Sequence, residues 1–297
     1  LEARVKNDVL STRQVAQLLG VGEATVKRWA DAGEIDCFRT PGGHRKFRLR
    51  DVTGFVAKRQ YETAGPLPVQ LPPGADIMGD VAVAWFEKAA LKGDASLLVA
   101  QMAALRLRGP TLAEIFDGVV APALASVGTR WVKNQLSIAE EHVASQTTAD
   151  AIARAQPLAE PPGEPNRPDR GAAVVAAVAG ELHDIGARMA ACLLRARGFE
   201  VLAPLAQTPG RDLAELMMRA RAVVTVLTST MPENLAVVQE QVEMAASAAA
   251  HTGGMVLVGG AGMRKIQLPQ EVRFLSSMQD LMEQSDQVGR RRAERRA

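Results

Sequence analysis

The sequence predicts a multi-domain chain built from a winged helix-turn-helix, a four-helix bundle and a doubly wound parallel α/β sheet. Three observations predict it. Two short helical patterns joined by "GVG" precede a basic Pro-Gly-Gly hairpin, four amphipathic helical segments fill the middle, and apolar strand-like runs then alternate with helical patterns. At 297 residues the chain is long enough for two or three domains, each with its own core. Hydrophobic residues make up 47% and aromatics only 4%, so helices and short buried strands are expected rather than an aromatic sandwich.

Charge is divided along the chain. Residues 1–62 carry 12 Lys/Arg against 8 Asp/Glu, and "GRRRAERRA" at the C-terminus carries five Arg against one Glu. Each end is therefore +4, which leaves −6 for the stretch between, given the +2 total. Basic ends on an acidic middle argue for division of labour and for an anionic partner. The run "GAAVVAAVAG" is too short for a membrane span, and "LEARVKND" lacks a signal-peptide pattern, so a cytoplasmic protein with no membrane partner is expected. Cys37 and Cys192 have no CxxC spacing and read as small buried residues.

The first element in order is "STRQVAQLLGVGEATVKRWADAGEI". Ser11 or Thr12 can cap a helix with Val15, Ala16 and Leu19 inward, ended by Gly20. A second helix should turn Ala24, Val26 and Trp29 to the core and close at Gly33. In a helix-turn-helix the second helix enters the major groove, which offers Thr25, Lys27 and Arg28, with Arg13 on the first helix. Arg suits guanine O6/N7 and Lys suits phosphate. Taken alone, this is also an ordinary solvated face. The following "RTPGGHRKFRLRD" raises the specificity, because Arg39, His44, Arg45 and Lys46 crowd a tight hairpin fit for a phosphate backbone. Helices and hairpin together resemble the MerR-type winged helix over about the first sixty residues. That family usually continues into a coiled-coil dimerisation helix; here "ETAGPLPVQLPPGAD" follows, so dimerisation must come from elsewhere.

The bundle is predicted from "VAVAWFEKAALKG", "ASLLVAQMAALRLRG", "TLAEIFDGVVAPALASVGTRWVKN" and "SIAEEHVASQTTADAIARAQPL". Within it, Trp131 is followed after nine residues by Glu141 and His142. One histidine beside one glutamate proves little alone. The spacing, downstream of a MerR-like head, resembles the cobalamin-dependent photoreceptor repressors of the CarH family. The resemblance implies that Trp131 packs over an adenosyl group while Glu141 and His142 help hold it. In that family a His directly after the Trp becomes the upper cobalt ligand after illumination; this chain departs from the pattern with Val132, and His142 is close in sequence.

The last module is predicted from the strands "GAAVVAAVA", "FEVLAPLA", "AVVTVLTST" and "GMVLVGGAG", followed by "VRFLSSMQDLMEQ". A Rossmann- or flavodoxin-like sheet follows, with its ligand at the carboxyl ends of the strands. "ELHDIG" occupies such an end and resembles the DxHxxG motif of base-off cobalamin domains. This implies His183 as the cobalt's lower axial ligand and Gly186 as the place where the cofactor's tail approaches the backbone. Glu181 stands where the family has Asp, so a looser relay to His183 is expected, with Asp184 able to contribute. "LTSTMPENL" resembles the Ser-x-Leu segment, with Thr228 in the Ser position, Ser229 beside it and Thr230 where Leu is expected. Gly259 and Gly260 supply a Gly-Gly pair.

The expected organisation is therefore a DNA-binding domain over 1–62, a linker at 63–76 and a bundle at 77–158. A second linker at 159–170, a cobalamin-binding domain at 171–288 and a basic tail at 289–297 complete it. The tail reads as a solvated end, with a supplementary DNA contact as the alternative. The expected function is a light-responsive repressor, not an enzyme. It would bind double-stranded operator DNA as an adenosylcobalamin-stabilised homo-oligomer, a dimer or a tetramer. A non-photochemical regulator sensing another corrinoid, a haem, a linear tetrapyrrole or a protein partner is the second reading. A corrinoid methyltransferase carrier is the third, but a winged helix has no purpose there.

Overall fold

The computed structural model describes residues 9–19, 21–48, 51, 52, 55, 78–106, 108–159 and 170–296. The chain divides into two compact units, Leu1–Pro165 and Asn166–Ala297.

At the N-terminal end, β1 (Val9–Ser11) leads into α1 (Thr12–Leu19) and α2 (Glu23–Asp31), then β2 (Phe38–Arg39) and β3 (Arg45–Arg48). The strands form an antiparallel sheet in the order β1-β3-β2, with Leu10 opposite Phe47 and Phe38 opposite Lys46. The hairpin closes through Thr40 N–H to the His44 carbonyl (3.0 Å) and Gly43 N–H to the Thr40 carbonyl (2.8 Å). Gly43 sits at φ +77, a conformation that favours glycine. Val15, Ala16, Val26, Trp29, Ile35, Phe47 and Phe55 form the core, and the Trp29 and Phe55 rings lie 4.7 Å apart. Ala24, expected inside, is exposed: the core face of α2 is the Val26/Trp29 pair three residues apart, and Ala24 falls off it. Ser11 belongs to β1, a strand absent from the sequence reading. Gly20, the expected stop of α1, lies outside the described residues.

The bundle comprises α3 (Asp80–Leu91), α4 (Ala95–Arg106), α5 (Leu112–Val132) and α6 (Ile138–Arg154), with the short α7 (Gln156–Ala159) after them. Both α5 and α6 begin with a capping box. Thr111 accepts from the Glu114 amide while Glu114 accepts back, and Ser137 and Glu140 repeat the arrangement. Five residues of α5, Phe116–Val120, are π-helical, which the apolar periodicity did not reveal. Phe86, Met102, Leu105, Phe116, Val120 and Ile152 are fully buried, each contributing about 1.5–3 kcal/mol of hydrophobic stabilisation. Among the described residues α5 is the one helix long and apolar enough to cross a membrane; its Phe116, Val119, Val120, Ala123 and Val127 are buried within the bundle.

The second unit contains β4 (Ala172–Ala177), α8 (Ile185–Ala196), β5 (Glu200–Leu205), α9 (Gly210–Ala220) and β6 (Val224–Thr228). It continues through α10 (Leu235–Thr252), β7 (Met255–Gly259), β8 (Val272–Leu275) and α11 (Met278–Arg296). All strand pairs are parallel in the order β5-β4-β6-β7-β8. The order reverses between β4 and β6, and a doubly wound sheet opens its ligand crevice there. Alternate residues of each strand feed two cores. Val174, Ala176, Val256 and Val258 pack with Leu213, Met217, Val238 and Val242 of α9 and α10. Ala173, Val175, Val226 and Leu257 pack with Ala187, Ala190, Leu194 and Leu281 of α8 and α11. Cys192 is buried on α8, and burial pushes its thiol up to about 12. The helix α11 extends past the expected boundary at 288, to Arg296.

Candidate functional site

The carboxyl end of β4 brings Glu181 and His183 together. Glu181 is fully buried, and its Oε1 accepts the His183 backbone N–H at 2.9 Å and lies 2.6 Å from the ring Nδ1. Its Oε2 accepts the Thr230 and Met231 amides at 2.6 and 2.8 Å, with the Ser229 hydroxyl at 3.4 Å. Burial pushes this carboxyl up, but the bonds from His183, Thr230 and Met231 outweigh burial and hold it below the usual value. An ionised Glu181 fixes the proton on Nδ1 and leaves Nε2 with its lone pair free, on a ring whose side chain is 51% exposed. The expected loosening of this relay is corrected. The extra methylene is taken up by reach, so that one carboxylate holds both the histidine and the loop after β6. Asp184 is not part of the relay; both its oxygens accept from Arg188, at 2.8 and 2.7 Å.

Thr228, the last residue of β6, is buried, and its Oγ1 has no hydrogen-bond partner among the described residues. A Cβ at Gly186 would lie 3.7 Å from the Thr228 methyl, so any longer side chain would fill the gap between α8 and β6. Gly259 ends β7 and Gly260 follows at φ +98, where a Cβ would collide with the Ser229 carbonyl oxygen. Gly262, which the sequence reading missed, is equally constrained by the Ser229 hydroxyl. The loops after β4, β6 and β7 thus form one glycine-lined cradle with an orphaned hydroxyl in it. Leu182, Met231 and Leu235 are exposed around it. Among the described residues no three His, Cys, Asp or Glu side chains could hold a bare metal ion. A lone imidazole instead suits a metal whose other positions a macrocycle fills. The residues fit a corrinoid.

In the bundle, Trp131 in the last turn of α5 is 41% exposed, and Val132, which ends the helix, is 69% exposed. The turn to α6 brings Glu141 and His142 in its first turns. Glu141 Oε1 accepts from the Ser145 hydroxyl at 2.6 Å, and its Oε2 lies 3.6 Å from His142 Nε2. The His142 side chain is 71% exposed, and Ile138 and Val143 are also exposed. The indole and Val132 are thus exposed at the C-terminal end of α5, and the carboxylate–imidazole pair at the start of α6. Ser145, which orients Glu141, was not picked out from sequence; a hydroxyl at i+4 on the same helix face is its only signal.

On the winged helix, Arg13, Lys27, Arg28, Arg39 and His44 are exposed, and Thr25 and Lys46 are half-buried. Arg45 is different. Its guanidinium pairs with Asp31 at the end of α2 and is largely covered, so it fastens the hairpin to the helix. Five cationic or polar groups on one helix pair and one hairpin match a helix-in-groove, wing-on-phosphate footprint.

Comparison with known proteins agrees with this division. A helix-turn-helix domain model matches residues 9–60, and two B12 binding domain models match residues 86–156 and 171–268. The HTH-type transcriptional repressor CarH of Myxococcus xanthus is 30% identical in an alignment of 276 residues that covers 85% of this chain and 89% of that one. The chain belongs to the CarH family. Transcriptional repressor DcmR of Methylorubrum extorquens is 41% identical over 64 residues, 21% of this chain, and the match spans about a quarter (24%) of DcmR. The solved Methanosarcina barkeri monomethylamine corrinoid protein shares the fold, with a TM-score of 0.54 at 15% identity over 68% of this chain and 96% of that one. This CarH-family member is a DNA-binding, B12-sensing transcription regulator rather than an enzyme, and its cofactor is of the cobalamin type.

Proposed function

We propose that this CarH-family chain is a cytoplasmic, light-responsive repressor that holds adenosylcobalamin and binds operator DNA as a homo-oligomer in the dark. The observation that carries the reading is His183 in the cradle, its Nδ1 held by the buried Glu181 carboxylate so that Nε2 is left for a ligand, and the exposed Trp131, Glu141 and His142 in the bundle add to it. The cofactor supplies a cobalt–carbon bond that light breaks. His183 Nε2 would hold the cobalt, and Thr228 Oγ1, Gly186, Ser229, Gly259 and Gly260 would accommodate the rest of the cofactor. Trp131 would pack on the adenosyl group, and Glu141 and His142 would help hold it. Binding across these groups stabilises an oligomer, and an oligomer gathers several winged helices on one DNA, so weak contacts multiply through effective concentration. Without the adenosyl group Trp131 would lose its packing partner, and the oligomer's hold on DNA would weaken.

The test is sizing chromatography with absorption spectroscopy on protein loaded with adenosylcobalamin, kept dark or exposed to green light. A larger species in the dark that converts on illumination, with DNA binding following it, supports the proposal. Identical elution with and without cofactor in both conditions overturns it and leaves a B12-binding regulator without photochemistry.

A further inference from the structure

We infer that Gln241, on α10, is a positioning residue for the cofactor: it holds the corner that delivers Glu181 to His183 and ties that corner to the loop after β5, and it rests on the proposed role of His183 as the cobalt ligand. Gln241 is 2% exposed and lies on the packed face of α10, where Val238, Val242, Ala245 and Ala249 are its buried apolar companions. A primary amide on such a face costs free energy unless both its ends are bonded, and an apolar side chain of similar length would pack there as well. Both ends are bonded, and both to backbone. Oε1 accepts the Ala179 N–H at 2.7 Å, and Nε2 donates to the Thr208 carbonyl at 3.3 Å.

The Ala179 end acts on the histidine through a turn. Val178 N–H donates to the Thr228 carbonyl of β6 at 3.0 Å, and the Val178 carbonyl accepts the Glu181 N–H at 3.0 Å, closing a tight turn with Gly180 at φ +77. A turn of this kind leaves the N–H of its second residue, here Ala179, without a partner inside the turn. Gln241 supplies that partner from 62 residues away. The residue the corner delivers is Glu181, whose carboxylate holds both His183 Nδ1 and the Thr230 amide. At the Thr208 end, β5 shifts register beside β4 so that Ala176 faces Leu205, and Leu205 and Gln207 both lie at φ +64 although neither is glycine. Left-handed backbone at non-glycine residues persists only where its surroundings hold it, and it gathers at ligand clamps. Thr208 follows directly, with its carbonyl on Gln241. Gly210 lets α9 start close against α10, since a Cβ there would lie 3.3 Å from Gln241 Cγ. One buried amide therefore couples the loops after β4 and β5, as Glu181 couples those after β4 and β6.

The experiment is electron paramagnetic resonance on the full chain, its histidines labelled with nitrogen-15, loaded with cob(II)alamin. A labelled histidine nitrogen on cobalt splits each cobalt line into a doublet, whereas the cofactor's own unlabelled base gives a triplet and water gives neither. The parent chain should show the doublet; its absence overturns the His183 reading, and this inference with it. With the doublet present in the parent, Gln241→Met, which keeps the packing and removes both hydrogen bonds, should lose part of it. Cobalamin should also bind roughly tenfold more weakly, as expected for an outer-shell partner. Gln241→Glu keeps an acceptor for the Ala179 N–H and should recover the doublet. In the cobalamin-free chain, amide exchange at Glu181 and Thr230 should quicken in Gln241→Met while β6 and β7 remain protected. Should Gln241→Met lose protection in those strands too, Gln241→Asn, whose amide falls one methylene short of Ala179, takes its place with the same expected results. An undiminished doublet in the variant that lacks the bonds, or a doublet that Gln241→Glu fails to recover, overturns the inference while leaving His183 as the ligand.

Discussion

Glu181 Oε1 lies 2.6 Å from His183 Nδ1 while Glu181 Oε2 holds the Thr230 and Met231 amides, so one buried carboxylate joins the histidine after β4 to the loop after β6. The cradle and the imidazole are therefore set by the same side chain. This makes Glu181 a positioning residue whose length and charge can be tested apart. Glu181→Gln keeps the length but presents an amide to N–H donors; cobalamin affinity should fall about 10–100-fold. Glu181→Asp keeps the charge but withdraws it by one methylene. It should retain His183 ligation in the absorption spectrum while losing order in residues 229–231, read by amide hydrogen exchange.

The same carboxylate gives a pH signature. Its folded value lies below the usual one, so the stabilisation it supplies is complete above the unfolded glutamate value of about 4.3 and is lost as pH falls through the lower folded value. Denaturation of the cobalamin-free chain should be flat in this contribution from pH 5 to 8. It should weaken below about pH 4.3, and Glu181→Gln should remove that acid limb while being less stable at neutral pH.

Thr228 offers an opposite case, because its buried hydroxyl has no partner among the described residues. Thr228→Val replaces an unsatisfied polar atom with a methyl of the same shape. The cobalamin-free chain should melt at the same temperature or higher, while cobalamin binds about tenfold more weakly for want of roughly one hydrogen bond. Equal affinity would show that the hydroxyl does not meet the cofactor.

Much of this was legible in the sequence, for reasons particular to each module. The alternation of "AAVVAA" and "VTVLT" with helical segments fixed a parallel sheet, because both faces of these strands are buried and read as continuous apolar runs. The four helical segments of the bundle were legible from their apolar pattern, whereas the capping boxes at Thr111 and Ser137 that start α5 and α6 emerge only in the structure. His183 was legible only through the motif around it, since a lone histidine carries no sign of its partner. What stayed hidden depends on contacts distant in sequence: β1 pairing with β3, Glu181 reaching 49 residues along to Thr230, and Arg45 committed to Asp31. The π-turn in α5 shifts a helix face without altering its composition, so periodicity cannot show it.

For the DNA face, the exposed Lys27 and Arg28 and the tethered Arg45 predict different losses. Arg28→Ala should relax sequence preference at one base pair by about 1–3 kcal/mol. Lys46→Ala should weaken all sequences alike and lower the salt slope by about 1. Arg45→Ala should instead act through the hairpin, and Asp31→Ala should reproduce much of its effect although it adds no negative charge. Gel-shift titrations on matched and mismatched duplexes distinguish these patterns.

The bundle surface decides whether the chain senses the adenosyl group or any corrinoid. Trp131 is exposed at the end of α5, so truncating it costs little packing within the bundle, and Trp131→Ala should fold normally. If the indole packs on the adenosyl group, the parent chain should oligomerise and bind DNA in the dark with adenosylcobalamin but not with methylcobalamin, whose upper group is too small to fill that contact. Trp131→Ala should then bind adenosylcobalamin through His183 with an unchanged lower-ligand spectrum and yet elute as the smaller species. Val132 carries no ligating atom, so any imidazole signature after illumination must come from elsewhere, and His142, 71% exposed beside Glu141, is the nearest candidate in sequence. His142→Ala should abolish such a signature while leaving light-driven dissociation intact. A Trp131→Ala chain that still distinguishes adenosylcobalamin from methylcobalamin by oligomer size would place the sensor away from α5 and α6.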